Sequence, residues 1–361
     1  MKKICFVEYD MSVFGGVEQV TATLANSLCE TYEVSIFGIF GKGKEVAYEL
    51  DDRIMYYAEL EEDCRIRERI QKIFTPFRLF IKRHHIDVVF LMENHPALIV
   101  SPVRFLTKAK FVYCDHGALI NEWEKKDITA FRFWDALISH RVVTLTKQNQ
   151  EDYTKKLHIS KKKMRTIYNW IDPKIIKEKV LYEIESKRLL TVGRLSEEKG
   201  HMMLLQVAKE VMPKHPDWQW HIYGDGDERK KIEKKIIEYG LEKQVLLMGN
   251  VKEVYKKYKE YAMIVLTSYR EGLPLVLLEA KALGLPMVSF DVVTGPREII
   301  DDGRNGYLIP SYEIETMAQK IDLLMSDRTK RIEFSNETWY HLERFRKEVI
   351  YPQWRSLIEE L

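Results

Sequence analysis

Residues 268–286, SYREGLPLVLLEAKALGLP, decide how this chain folds. An apolar run with β-like composition, residues 262–267, leads into them. A short loop with Gly272 and Pro274 comes next, and residues 275–283 then read as a helix that closes at Gly284 and Pro286. Proline near the first turn and glycine just past the last are ordinary helix punctuation. The order is therefore strand, loop, helix. Where a strand's carboxyl end opens onto a helix N-terminus, an open α/β sheet binds anions and nucleotides. The amides of the loop from Gly272 through Leu273 and Pro274 to Leu275 would point at a phosphate. Glu271 lies in the loop. Glu279 lies about one turn into the helix, placed for hydroxyls rather than phosphate. The competing reading is a surface loop with a solvated Glu271 and a helix-face Glu279.

Length and composition set the outer bounds. At 361 residues the chain is long enough for two domains. With 45% hydrophobic and 31% charged residues it reads as a soluble globular protein. A net charge of only +2 argues against a nucleic-acid binder driven by bulk charge. Cys5, Cys29, Cys64 and Cys114 lack metal-ligand spacing and read as free thiols of a reducing compartment. Glu8 and Asp10 interrupt the first apolar run, which is too short for a signal peptide. No apolar run approaches the ~20 residues of a membrane span. The expected location is cytoplasmic.

The first half of the chain alternates strands and helices. Residues 3–9 form a strand whose loop ends in Gly15 and Gly16, and residues 17–28 form an amphipathic helix. The glycine pair lets the backbone approach a ligand closely. Strands follow at 33–39, 86–92, 110–114 and 141–145. The strand at 86–92 ends at Glu93, Asn94 and His95. The strand at 110–114 ends at Asp115, His116 and Gly117, so His116 sits where α/β sites are built. Residues 64–85 read as a helix with a basic polar face interrupted by Pro76. Such a helix either lies on an anionic membrane or packs on the sheet with a solvated basic face. Pro173 stops regular structure and marks a domain boundary.

A second series begins with the strand 189–192 and the loop GRLSEEKG, residues 193–200. Arg194 offers forked donors and Lys199 a point charge, which suits a leaving diphosphate. The strand 218–223 leads to Gly224-Asp225-Gly226-Asp227. The third glycine of a dinucleotide fingerprint is missing, with Arg229 in its place, so an NAD oxidoreductase is disfavoured. Asp225 and Asp227 mimic a metal-binding DxD, but an aspartate on a βα turn caps the next helix by accepting backbone N–H bonds. The strand 245–248 ends at Gly249, Asn250 and Val251. After residues 268–286 come a strand at 287–290, the turn DVVTGPR at 291–297, a turn and short strand at 302–310, and closing helices.

Glu271 and Glu279 form E-x7-E within EGLPLVLLEA. With GGVEQVTATLANSL and GRLSEEKG, this resembles the retaining GT-B glycosyltransferases of the "group 1" family, glycosyltransferase family four. The resemblance spans nearly the whole chain and is strongest over 189–310. It implies two Rossmann-like α/β domains with parallel sheets facing a cleft. Residues 1–168 would bind the acceptor and 169–342 the nucleotide sugar, with a final helix, 343–361, crossing back to the first domain. It implies that Glu271 contacts the donor sugar and Glu279 its ribose. Gly16, Arg194, Lys199 and the 272–274 loop would hold the diphosphate. Gly224, Asn250 and Val251 would line the nucleoside pocket, and His116 would reach the sugar. The family usually has glycine where this chain has Trp170.

The implied reaction is sugar transfer with retention from a nucleotide sugar, UDP-linked by default, to a glycan or lipid-linked acceptor. It needs no metal and no other cofactor. The implied setting is surface-polysaccharide or glycoconjugate synthesis, with helix 64–85 touching the inner face of the membrane. A non-catalytic GT-B binding partner and a nucleotide-sugar epimerase are the alternative functions.

Overall fold

The computed structural model describes residues 1–61, 66–93, 97, 99–177 and 182–361, except the side chains of residues 66, 67 and 69. It divides into two compact units. The first is Met1–Asn169 with Tyr351–Leu361, and the second is Trp170–Ile350. The return to the first unit therefore begins at Tyr351 rather than at 343. The terminal helix itself is Lys347–Glu359, after a separate short turn at Leu342–Phe345. Arg346 between them is extended (φ −80°, ψ 148°), which breaks the expected continuous helix.

The first unit is built on seven parallel strands: β1 (Lys3–Asp10), β2 (Glu33–Phe40), β3 (Met55–Leu60), β4 (Val88–Met92), β5 (Lys110–Asp115), β6 (Arg141–Thr144) and β7 (Met164–Thr166). Their order across the sheet is β3-β2-β1-β4-β5-β6-β7. The inner strands are mostly apolar because helices cover both faces of a parallel sheet, although β1 carries Glu8 and Asp10. β4, VVFLM, is buried at every residue. β3 and β7 escaped the sequence reading. β3 (MYYAEL) is a half-exposed edge and β7 has three residues, so neither carries an apolar run.

The helix Ile66–His84 keeps Pro76 inside it, so the proline does not interrupt it as expected. Ile73, Phe77, Phe80 and Ile81 sink into the core of the first unit, and Lys72, Lys82 and Arg83 stay in water. This is the sheet-packed alternative of the two readings. Cys64 and Arg65 lie outside the described residues, as do Asn94 and His95.

The second unit has six parallel strands: β8 (Arg188–Val192), β9 (Gln219–Tyr223), β10 (Val245–Gly249), β11 (Met263–Leu266), β12 (Met287–Asp291) and β13 (Gly306–Pro310). Their order is β10-β9-β8-β11-β12-β13. The winding direction reverses between β8 and β11, which pair through Met263 with Leu189 and Ile264 with Leu190. An open α/β sheet takes its ligand at such a reversal, outside the strands' carboxyl ends. The loops leaving β8 and β11 are GRLSEEKG and SYREGLP. Trp170 opens this unit with a buried side chain and without positive φ, so this position has no need of glycine.

Candidate active site

The two loops at the reversal are joined side chain to side chain. Lys199 donates from Nζ to Glu271 Oε1 at 2.8 Å, with the Glu271 side chain almost wholly buried. Sequence reasoning gave these residues separate tasks, the diphosphate and the sugar; the structure sets them against each other. Main-chain contacts fix the pair. Gly200 takes φ +66°, and a Cβ there would lie 2.0 Å from the Thr267 carbonyl oxygen. Only glycine permits that approach. Thr267 Oγ1 donates to the Lys199 carbonyl at 3.3 Å, and Tyr269 N–H to the Glu198 carbonyl at 2.8 Å.

Arg194 stands on the same loop. It is exposed and makes no ion pair among the described residues. A guanidinium in that state is available to an incoming anion.

The turn after β12 supports Glu271 from the other side. Thr294 Oγ1 donates to the Glu271 carbonyl at 2.6 Å. Gly295, at φ +97°, lies so close that a Cβ would come 2.7 Å from the Gly272 carbonyl oxygen. Leu273 and Pro274 are buried, so their side chains anchor the loop. Pro274 has no N–H to offer a phosphate, and its carbonyl accepts from Leu277 and Leu278. It sets the start of the helix Leu275–Ala282, which has no side-chain cap. The N-terminus of that helix follows Glu271 by four residues, and a helix N-terminus attracts negative charge.

Glu279 is buried in that helix and accepts from Tyr258 Oη at 2.9 Å. Burial, and then the Glu279 charge, raise the Tyr258 hydroxyl well above its ordinary pKa, so it remains a donor. Sequence reading missed Tyr258 and Thr294. Tyr258 lies in a basic segment, VYKKYKE, whose sequence gives no signal that this ring is fully buried.

The loops after β8, β9 and β10 close up at Gly224. Its φ is +134°, and a Cβ would come 1.9 Å from the Gly193 carbonyl oxygen. Its N–H donates to the Gly249 carbonyl at 2.9 Å, and Leu195 N–H donates to the Asp225 carbonyl at 3.0 Å. Asn250 and Val251 follow, both exposed. One expectation is corrected here. Asp225 does not cap the next helix; it accepts from its neighbour Gly226 N–H at 2.8 Å, and Glu228 occupies the cap position without a side-chain bond. The other Asp225 oxygen faces Arg229 Nη1 at 3.5 Å instead of the helix amides. Among the described residues no three His, Cys, Asp or Glu side chains converge as metal ligands.

Gly16 and His116 belong to the first unit. Gly16 is exposed at the start of the helix Gly16–Leu28, after β1. His116 follows β5, is buried, and has no hydrogen-bond partner at Nε2. Burial drops its pKa to about 4, against a smaller opposing pull from Asp115. Its ring is therefore neutral near pH 7. Asp115 is wholly engaged, by Arg132, by Asn149 at 3.1 Å and by Tyr153 at 2.9 Å. Burial pushes Asp115 up, but the Arg132 charge and these bonds prevail and hold it below the usual range. A cleft of about 670 Å³ opens at the ends of β1 and β2, lined by Tyr9, Asp10, Phe40, Lys42 and Lys44.

Each unit is an open parallel α/β sheet of the Rossmann-like kind, and in the second the two loops lie at a reversal of the winding. The comparisons with known proteins name the family. "Glycosyl transferases group 1" matches residues 173–338, and "Glycosyltransferase Family 4" matches residues 14–175. The chain belongs to this family of glycosyltransferases and has its GT-B architecture. The amylovoran biosynthesis glycosyltransferase of Erwinia amylovora is 26% identical, over 99% of this chain and 100% of its own length. An α-1,4-N-acetyl-D-galactosaminyltransferase of Campylobacter jejuni, named for a PP-undecaprenol-linked glycan, is 24% identical over 100% and 99%. The Anabaena protein HepE, solved with UDP and glucose, superposes with a TM-score of 0.81 at 17% identity, covering 100% of both chains.

Proposed function

We propose that this glycosyltransferase moves a hexose from a UDP-sugar, with retention, to a glycan carried on a lipid, in surface-polysaccharide or glycoconjugate synthesis at the inner face of the membrane. The observation that carries the reading is the Lys199–Glu271 pair at the reversal of the second sheet, with the N-terminus of the 275–282 helix four residues after Glu271. Arg194, Lys199 and the first amides of that helix would receive the diphosphate. Glu279, held by Tyr258, would take the ribose hydroxyls. Glu271 would orient the sugar and support positive charge at its anomeric carbon.

In the proposed step the bond from the anomeric carbon to the phosphate oxygen breaks. The acceptor hydroxyl forms the new bond on the same face. Its proton passes to a phosphate oxygen, and UDP departs. Cations and amides already in place stabilise the charge that gathers on the diphosphate, with no reorganisation at the moment of reaction. The neutral His116 ring would serve as a hydrogen-bonding group to the sugar rather than as a cation. The acceptor would lie on the first unit, where the cleft beside Lys42 and Lys44 offers room. Metal independence belongs to the same reading, since Asp225 is bound to its own turn.

A thermal-shift panel of UDP, GDP, ADP and CMP, with Mg²⁺ and with EDTA, tests it. A ligand at 100 times its Kd adds about 2.7 kcal/mol to the folded state. The expected result is a rise with UDP that EDTA leaves unchanged. No rise with any nucleotide, from folded protein, would move the non-catalytic partner reading to the front. Sugar conversion without acceptor would indicate an epimerase.

A further inference from the structure

Two tyrosines stand in water at the carboxyl edge of the second sheet. Tyr269 follows β11 and is 41% exposed, and Tyr312 follows β13 and is 48% exposed. Their ring centroids lie 5.4 Å apart at an interplanar angle of 48°. The Tyr312 hydroxyl donates to the Tyr269 carbonyl at 3.0 Å, which ties the two loops together at the rings. Phe290 of β12 is fully buried and meets the Tyr312 ring edge-on at 6.0 Å, backing it from the core. Tyr312 takes φ +70°, a left-handed backbone that a bulky side chain rarely adopts. Packing alone does not account for that strain, because nearly half of the residue remains exposed.

Hydrogen-bonding groups flank the pair. Beside Tyr269, the Glu198 carbonyl accepts from the Tyr269 N–H at 2.8 Å, and the Glu198 carboxylate lies 3.4 Å from Arg270 Nη2. Beside Tyr312, Ser311 Oγ donates to the Asp291 carbonyl at 2.8 Å, and the Asp291 carboxylate accepts from Arg297 at 3.0 and 2.7 Å. Each of these four charged side chains keeps more than a quarter of its surface in water. The pair also has a definite place across the sheet. In the order β10-β9-β8-β11-β12-β13, Gly224, Asn250 and Val251 follow β9 and β10 at one end. The tyrosines follow β11 and β13 on the other side of the reversal, and Glu271 comes two residues after Tyr269.

From this pair we infer a saccharide platform on the second unit, where the exposed rings of Tyr269 and Tyr312 take one pyranose of a glycan chain, distinct from the sugar of the donor. A pyranose has one face of C–H groups and a rim of hydroxyls. The C–H face suits the negative face of an aromatic ring, and exposed carboxylates and guanidiniums suit the hydroxyls. A tyrosine held by its own hydroxyl and backed by Phe290 offers that face already in place, which lowers the cost of binding. A nucleobase would also stack on tyrosine. The loops expected to line the nucleoside, however, lie at the opposite end of the sheet. A second copy of the chain is a poor occupant, because two side chains supply a small part of the ~800 Å² that each partner buries in a stable interface. The inference rests on the proposed glycan acceptor for the identity of the chain that is held; the geometry of the platform is separate.

The test is saturation-transfer NMR of the intact protein with maltotriose, cellotriose and chitotriose, beside the UDP thermal shift of every variant. At least one trisaccharide should receive saturation through its ring C–H protons. Tyr312→Gly removes the ring and releases the left-handed strain, so a loss of signal there is not a loss of fold. It should weaken binding about tenfold, the worth of one well-placed ring. Tyr269→Phe keeps the stacking face and should keep the signal. Tyr269→Ala with Tyr312→Gly should abolish it, and the UDP-induced rise should persist in all three variants. A UDP rise with no saturation of any trisaccharide would overturn the inference and leave the donor reading standing. Saturation that the double substitution removes, without any UDP rise, would support the platform and tell against the donor site. Neither effect, from folded protein, would overturn both. Saturation that survives the double substitution would place the sugar elsewhere and overturn the inference. A UDP rise lost in the double variant would assign the rings to the nucleobase and overturn it as well.

Discussion

At the residue scale, two glutamates of one short segment meet different surroundings and divide the work. Glu271 is held by an ammonium on one oxygen and by a threonine hydroxyl on its carbonyl. Glu279 is held by a buried phenol. Glu271→Gln keeps the shape and removes the charge that would support the sugar as it becomes positive. Turnover should fall about 10²- to 10³-fold, the loss typical of one electrostatic group. Donor affinity should stay within about threefold, because the ground-state sugar is neutral. Glu279→Ala should weaken donor binding by about 10- to 100-fold, the worth of a hydrogen bond to a charged group. Steady-state kinetics with calorimetric titration of UDP separates the two. Equal losses of turnover and affinity in Glu271→Gln would contradict its role, and unchanged affinity in Glu279→Ala would contradict the ribose assignment. Both glutamates stand out in the sequence by their place in a strand-loop-helix segment, and the roles proposed for them come from the family resemblance. Tyr258 does not, because nothing in its basic segment marks it, and the sequence marks the turn DVVTGPR but not the bond that Thr294 makes from it to the Glu271 carbonyl.

At the scale of elements, the site depends on three strand-end loops lying flush. Gly224 is the position where they touch, between the Gly193 carbonyl below and the Gly249 carbonyl it bonds. Gly224→Ala adds a methyl that the backbone cannot clear and a left-handed strain of about 1–2 kcal/mol. The expected outcome is a lower unfolding midpoint together with loss of the UDP-induced shift. Gly240→Ala serves as the control. It also has positive φ, but open space surrounds it, so it should lower the midpoint and keep the UDP shift. Strand existence was legible wherever the apolar run was continuous, as in β4 and β11. Edge strands such as β3 were hidden, since a strand with one face in water and little length has the composition of a loop. Helix interruption was misjudged at Pro76, where packing of Ile73, Phe77 and Phe80 outweighs the bond the proline removes.

At the scale of the whole molecule, the buried titratable groups oppose one another. His116, His140 and His201 are each lowered to about 4, first of all by burial. Between that value and the ordinary 6.5 the unfolded chain holds protons that the folded one does not. Stability therefore falls as pH drops through that window. Glu8 and Asp135 are raised well above the ordinary carboxylate range, again first by burial. Above that range the folded state holds protons that the unfolded chain has lost, so stability falls as pH rises. The two effects oppose each other where they overlap, up to about pH 6.5, and above it only the carboxyl effect remains, so the unfolding midpoint should fall there. His116→Gln should flatten the acid limb from about pH 6.5 to 4, and Glu8→Gln the limb above about pH 5, in thermal unfolding followed across pH. Parallel limbs in variant and unaltered protein would remove those residues as the cause.

The sequence by itself determined the fold class, the two strand-helix series and the loops that carry the site. Apolar periodicity, helix punctuation and glycine placement are local, and each is written within a dozen residues of the element it forms. The tertiary structure alone decided that Lys199 pairs with Glu271, that Tyr258 holds Glu279, and that His116 is buried and neutral near pH 7. Those outcomes depend on which strands become neighbours and which faces are covered. A residue's burial and its partner are properties of that assembly, and charge, pKa and hydrogen bonding follow from them.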